Sequence, residues 1–210
     1  MRIRYPPGRS GRLWLVERLS VADRAAGILH RKQQALRQED RRLAALSERS
    51  AENWVAAVRD AETWQRRAMI LGGRSDLLAA AICAHPAIVH LTWRSEMGVE
   101  FPGEASCEVP SSPEIARTPA LAATAAAYRH ALQAGVEHAA VTTAAERVST
   151  ELALTQRRMR AVRDRWIPVL RNTLRELEVR LDEHEREESM RARPHPRSIR
   201  ISAASTREHR

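Results

Sequence analysis

The chain has 210 residues, with 35 Lys and Arg against 26 Asp and Glu, a net charge of +9, and 43% apolar residues, while aromatic residues make up only 4% of the chain. One Phe and so few rings are too little for an ordinary globular core of this length, and the charged, Ala-rich make-up leans toward long helices or a coiled coil. Two cysteines, Cys83 and Cys107, fit no metal spacing and no disulfide framework, which makes a reducing, cytosolic setting the expectation, and no run approaches the roughly 18 apolar residues of a membrane span. The first twelve residues carry Arg without an apolar run behind them, so they do not read as a secretory signal.

A basic excess first suggests nucleic acid or another anionic surface. Its distribution sharpens that. Residues 1–12 hold Arg2, Arg4, Arg9 and Arg12 with no acid, and residues 191–210 hold six Arg against Glu208. Together these account for the whole +9, so residues 13–190 are neutral. The chain reads as a neutral body with two basic ends.

From Leu15 onward the apolar positions step by four and three, through Leu19, Ala22, Leu29, Leu36, Leu43, Trp54, Ala57, Ala61, Trp64 and Ala68 to Leu71. Only Gln33, Asp40, Ser47 and Ser50 are polar on that seam, which either specifies register or marks a place where a third partner enters. So long a seam predicts a coiled-coil helix over 13–72, roughly 85 Å at 1.5 Å per residue. Pro6-Pro7-Gly8 blocks helix upstream, Ser10 is a possible N-cap, and Gly72-Gly73 ends the helix.

Residues 73–112 change character. Ser75–Ala84 reads as a short helix, Ala87–Arg94 as a strand, and Gly98–Phe101, resuming at Ala105–Val109, as its hairpin mate, with Glu96-Met97-Gly98 as the turn. Pro102, Gly103 and Pro110 bound the second strand. A second long helix, 113–193, opens at Ser112-Pro113-Glu114 or at Thr118-Pro119 and stops at Pro194 and Pro196. Its Ala-rich start carries Leu121, Ala125, Tyr128 and Leu132. The seam then runs through Val141, Ala145, Val148, Leu152, Thr155, Met159, Val162 and Trp166, and steps by four twice to Leu170 and Leu174. Two such steps are a stutter, and Pro168 lies in it, where a kink is expected. Residues 194–210 read as a basic, disordered tail.

The two helices must pair antiparallel, because one chain folds back through a compact insert, with the hairpin at the far end and both basic termini at one tip. The fold class is mainly α: a long antiparallel two-helix coiled coil with a small inserted helix and β-hairpin module.

No phosphate-cradling Gly loop, GxSxG or HExxH is present, so no catalytic residues, cofactor or metal are expected. His184, within Asp182-Glu183-His184-Glu185, sits among residues too close in sequence to share one helix face, and a solvated face with the i,i+4 pairs Asp182–Arg186, Glu176–Arg180 and Glu187–Arg191 is the better reading. Trp54, Trp64 and Trp166 fall on the seam and read as core. Trp14 lies beside the seam near the basic tip and is the better interface candidate, and Trp93 suits docking and local packing equally.

Two segments then look familiar: Pro6-Pro7-Gly8-Arg9-Ser10 through Leu13 and Arg31-Lys32, and Trp166-Ile167-Pro168-Val169-Leu170 through Leu181-Asp182-Glu183 and Glu185-Arg186-Glu187-Glu188, with Met97-Gly98-Val99 between them. In combination they resemble the D subunit of the V-type (archaeal and bacterial A-type) rotary ATPases. The resemblance implies a non-catalytic rotor shaft whose termini insert into a head of catalytic A and B subunits, with the F subunit on its side and a funnel-shaped subunit of the membrane ring below. It implies a cytoplasmic location, peripheral to the membrane, and a part in coupling ATP hydrolysis or synthesis to proton or sodium transport. Carried onto this chain, Arg9, Arg12, Trp14, Arg186, Arg191 and Arg193 are the candidate contacts with the head, and Trp93, Met97, Gly98 and Phe101 the candidate docking residues of the hairpin. No direct nucleic-acid contact is implied. The alternative is a basic-tipped coiled coil that binds nucleic acid or serves as a scaffold.

Overall fold

A computed structural model describes residues 3–82, 85–110 and 118–192. Four helical stretches and one hairpin follow in chain order: α1 (Gly8–Ile82), β1 (Ile88–Glu96), β2 (Val99–Glu108), α2 (Pro119–Arg160), a π-helical stretch (Ala161–Trp166) and α3 (Ile167–Ala192). The expected tail 194–210, Arg193, Cys83 and the Ser112-Pro113 start lie outside the described residues. No described helix is long and apolar enough to cross a membrane.

The chain divides into two compact units, one formed by Met1–Arg24 with Arg163–Arg210 and the other by Ala25–Val162. In the first, α1 pairs with α3. Arg9 meets Glu185, Arg12 meets Glu178 and Asp23 meets Arg171, so residue numbers rise on one helix as they fall on the other, which is antiparallel pairing. Leu15, Ala22, Ile167, Leu170 and Leu177 are its buried apolar side chains.

In the second unit α1 pairs with α2 in the same sense. Lys32 meets Glu151, Ser47 meets Thr142, Ser50 meets His138, and Gln65 accepts a hydrogen bond from Tyr128. Three of the polar seam positions therefore have a use: Ser47 and Ser50 bond across to α2, and Gln33 is buried. Leu36 and Leu43 of α1 pack with Ala144, Val148 and Leu152 of α2. Further along, Ala57 and Ala61 meet Ala127, Ala131 and Ala134. This alanine-on-alanine contact brings the helices close, and the larger residues move to the flanks: Tyr128 and Leu132, near the seam by spacing, are 45% and 42% exposed.

Gly73 breaks α1 as expected, with φ 73° and ψ 177°, a conformation open to glycine, and a helical stretch continues to Ile82. Gly8, also at positive φ, starts α1 two residues before Ser10, whose hydroxyl donates back to the Pro7 carbonyl, so Ser10 lies inside the first turn rather than capping it. The start of α2 is the later of the two expected: Thr118 is the N-cap, its Oγ1 accepting from the Leu121 amide, and Pro119 follows.

The stutter takes the form of the π-helical stretch Ala161–Trp166, directly ahead of Pro168. A π turn holds one residue more than an α turn, so it absorbs the extra residue that two consecutive four-steps imply.

β1 and β2 pair antiparallel, joined at Met97-Gly98, both at positive φ as a two-residue primed turn requires. β2 is longer than expected and runs unbroken through Pro102 and Gly103. The register slips between Leu91 and Trp93, so Thr92 faces both Gly103 and Glu104. Thr92 Oγ1 accepts from the Glu104 amide at 2.8 Å and donates to its carbonyl at 3.1 Å, which closes the bulge. Gly103 is required there, because a Cβ would stand 2.9 Å from Arg94 Cγ and from Thr92 Oγ1.

Folding back through a compact insert would put the hairpin at the end of the helix pair. It lies instead along the side of the second unit, with β2 against α2 and Phe101 seated between Leu36, Leu43, Ala144, Val148 and Leu152. The ring fills space that the short side chain of Ala144 leaves open.

Candidate interaction surfaces

At the basic end, three of the candidate arginines, Arg9, Arg12 and Arg191, are held by carboxylates. Arg9 Nη2 donates to Glu185 Oε1 at 2.8 Å, and Arg12 Nε donates to Glu178 Oε1 at 2.9 Å. Arg180 donates to the Tyr5 hydroxyl at 3.3 Å, which draws the segment before α1 onto α3. That segment also turns over Gly11, where a Cβ would lie 2.0 Å from the Pro6 carbonyl oxygen. Trp14 is half-buried beneath the Arg18 guanidinium, 5.2 Å from the ring centre. Arg186 is exposed and Arg191 reaches Glu187 one turn back at 3.5 Å. Glu176–Arg180 forms at 3.8 Å as the spacing predicts, and His184 pairs with Glu188 at 3.5 Å. Arg9, Arg12 and Trp14 thus share this unit with Arg186 and Arg191, in a lattice of mostly paired, solvated charges.

The hairpin residues divide. Phe101 is 1% exposed and belongs to the core, so it anchors the hairpin and offers nothing to a partner. The one Phe of an alanine-rich chain is a packing signal, and its place near the Met97-Gly98 turn disguises it as a docking residue. Trp93 is 56% exposed, with the Arg147 guanidinium 5.1 Å from its ring centre, and Met97 at the turn is half exposed. Of the seam tryptophans, Trp54 is not core, whereas Trp64 packs against the alanine cluster of Ala57, Ala61 and Ala127. Trp54 is 40% exposed, stacked on His138 with ring centres 5.5 Å apart and seated over Gly135, while Trp64 is half-buried under Arg67.

Under the hairpin, Glu39 is nearly buried and Arg42 grips its carboxylate with two hydrogen bonds, the Nε one at 2.8 Å. The hydrogen bonds from Arg42 hold the Glu39 carboxyl below the ordinary carboxylate range against the opposing effect of burial, and the positive charges of Arg42 and Arg94 add to this. The same pairing raises Arg42.

A surface that periodicity does not announce lies beyond the alanine stripe. A groove of 680 Å3 opens between the last turns of α1 and the start of α2, lined by Met69, Leu77, Leu78, Leu121, Tyr128 and Leu132 among others. On the same stretch Ile70, Leu71 and Ile82 are 84%, 76% and 84% exposed. Leu71 continues the seam by spacing alone; the signal against it is the Gly72-Gly73 pair directly after it, beyond which Leu77 and Ala80, not Leu71, pack with Ala68 against Ala120 and Leu121.

A family model for the D subunit of ATP synthase matches residues 13–194. No curated protein matches the chain. The match takes in both long helices and the hairpin described above, leaving out only the two ends: the chain belongs to the family of ATP synthase D subunits.

Proposed function

We propose that this chain is the central shaft of a V/A-type rotary ATPase, a non-catalytic subunit that carries torque between a nucleotide-hydrolysing or ATP-synthesising head and a membrane ring that moves protons or sodium ions. The family match over residues 13–194 carries the reading. The antiparallel pairing of α1 with α3 in the first unit supports it, since the basic stretch around Arg9 and Arg12 lies beside the end of α3.

On this reading the first unit is the tip that turns inside the A and B subunits. A tip that must rotate past successive subunits gains from charges already paired on itself. Exposed ion pairs such as Arg9–Glu185 contribute little affinity to any one partner and stay well hydrated. The groove beside Ile70, Leu71 and Ile82 is the docking end, suited to the funnel-shaped subunit, because so large an apolar area calls for a protein cover. The F subunit takes the side of the shaft, and the complex keeps this chain on the cytoplasmic side, peripheral to the membrane.

The test is isolation of the native complex under gentle extraction. Copurification with A and B subunits is expected, and a chain that never accompanies them refutes the reading. Salt-sensitive binding to duplex DNA by the chain alone would favour the nucleic-acid alternative instead.

A further inference from the structure

The hairpin is held to its unit mainly through one strand. β2 packs on α2 and buries Phe101 and Pro102, and Gln133 of α2 accepts from the Cys107 amide at 2.7 Å. β1 adds only the Trp93 ring, over which the Arg147 guanidinium of α2 lies, and buries no residue. Eight of its nine residues are exposed, and the sheet has no third strand among the described residues. In an antiparallel ladder alternate residues turn their amide and carbonyl groups away from the paired strand. β1 therefore presents a row of such groups along its outer edge, and no Pro or Lys interrupts it between Ile88 and Glu96. Sheet edges of this length are ordinarily blunted by those residues or covered.

The two faces flanking that edge differ in chemistry. Val89, Leu91 and Trp93 alternate onto one face at 53%, 40% and 56% exposure. His90 and Arg94 alternate onto the other. Arg94 lines a groove of 990 Å3 between the hairpin and α1, together with Arg49 of α1, and neither arginine has an ion-pair partner within 4 Å among the described residues. A strand laid on this edge would meet an apolar row on one side and, on the other, the guanidinium groups of Arg94 and Arg49, in a groove that Arg42, Glu104 and Glu137 also line and with the Arg94 charge acting in part on Glu39.

We propose that the outer edge of β1 is a strand-acceptor site, which binds an extended segment of a partner protein whose residues alternate between apolar and acidic. Backbone hydrogen bonds would supply the affinity, Val89, Leu91 and Trp93 would select the apolar positions, and Arg94 with Arg49 would select the acidic ones. The rotor reading is not needed for this site, which rests on the hairpin alone.

The test uses the full chain and a synthetic peptide that alternates valine and glutamate over the length of β1, with a valine–arginine peptide as control. Amide hydrogen exchange reads the result. The valine–glutamate peptide is expected to slow exchange at alternate amides between Ile88 and Glu96, and the valine–arginine peptide to bind at least about tenfold more weakly. The double variant Val89→Lys, Leu91→Lys keeps the β2 anchor and is expected to lose the protection while its circular dichroism stays unchanged. Absence of protection with millimolar peptide overturns the proposal. So does protection that survives the double variant, and so does protection that rises with protein concentration in the absence of peptide, which would make the occupant a second copy of the chain.

Discussion

Phe101 is the residue on which the hairpin depends. It is the one Phe of the chain, it is 1% exposed, and five aliphatic side chains from two helices surround it. Alanine neighbours such as Ala144 cannot extend to fill the space it would leave. Phe101→Ala is expected to cost about 3–5 kcal/mol, read as a drop in the urea midpoint, with β1 and β2 losing exchange protection before the helices do. Glu39 works by charge at a neighbouring position. Its carboxyl is held below the ordinary 4.5 in the folded chain. The unfolded chain therefore takes up a proton first as pH falls, so the stability that Glu39 contributes is whole at neutral pH and drains away below about 4.5. Comparing thermal midpoints of the parent and Glu39→Gln from pH 7 to pH 3 checks this: the gap between them is expected to shrink on acidification. Arg42→Met removes the partner and leaves the carboxylate unsatisfied, at a cost of about 1–3 kcal/mol at neutral pH.

At the scale of elements, the helices are legible because periodicity is a property of sequence alone: Leu15, Leu36, Leu43, Ala57, Ala61 and Ala68 are all buried where the four-three stepping puts them. Trp54 is not, because a ring that size does not fit opposite the alanine stripe of α2 and moves to its edge, over Gly135. The position of the hairpin is not legible either. It depends on Phe101 finding a pocket made by residues more than forty positions away on both sides, and no local pattern encodes that. The stutter around Trp166 is legible as a change of period but not as a π-helical stretch, since a kink at Pro168 and a π turn ahead of it relieve the same misfit. The distinction can be tested. The Ala161–Trp166 stretch holds one residue too many for a regular helix, so deletion of Arg163, exposed within it, is expected to restore α geometry and leave the thermal midpoint within a few degrees of the parent. Deletion of Arg147, in the regular helix next to Val148, turns every later seam residue by about 100° and is expected to abolish cooperative melting, which circular dichroism would show.

For the molecule as a whole, charge and apolar surface speak to different partners. The +9 at the two ends suggests nucleic acid, yet Arg9 and Arg12 are engaged by Glu185 and Glu178, and the charge serves helix pairing there as much as any partner. The larger unsatisfied surface is apolar and hidden in the sequence, because Ile70 and Leu71 look like the last turn of a seam, whereas the start of α2 packs on Ala68, Leu77 and Ala80 and leaves them outside. Water contact at Ile70, Leu71 and Ile82 costs roughly 25 cal/mol for each Å2 of apolar area, so their exposure favours any association that covers them. The isolated chain is therefore expected to associate reversibly as concentration rises, with sedimentation velocity showing a shift toward larger species. Substituting all three by Ser is expected to keep it monomeric, without loss of helical signal, since all three side chains stand mostly in solvent. If this end is where the shaft meets the membrane ring, the same variant also leaves the native complex during gentle extraction while its exchange protection at Phe101 stays intact. A variant that remains monomeric but is retained in the complex would place the docking contact elsewhere on the chain.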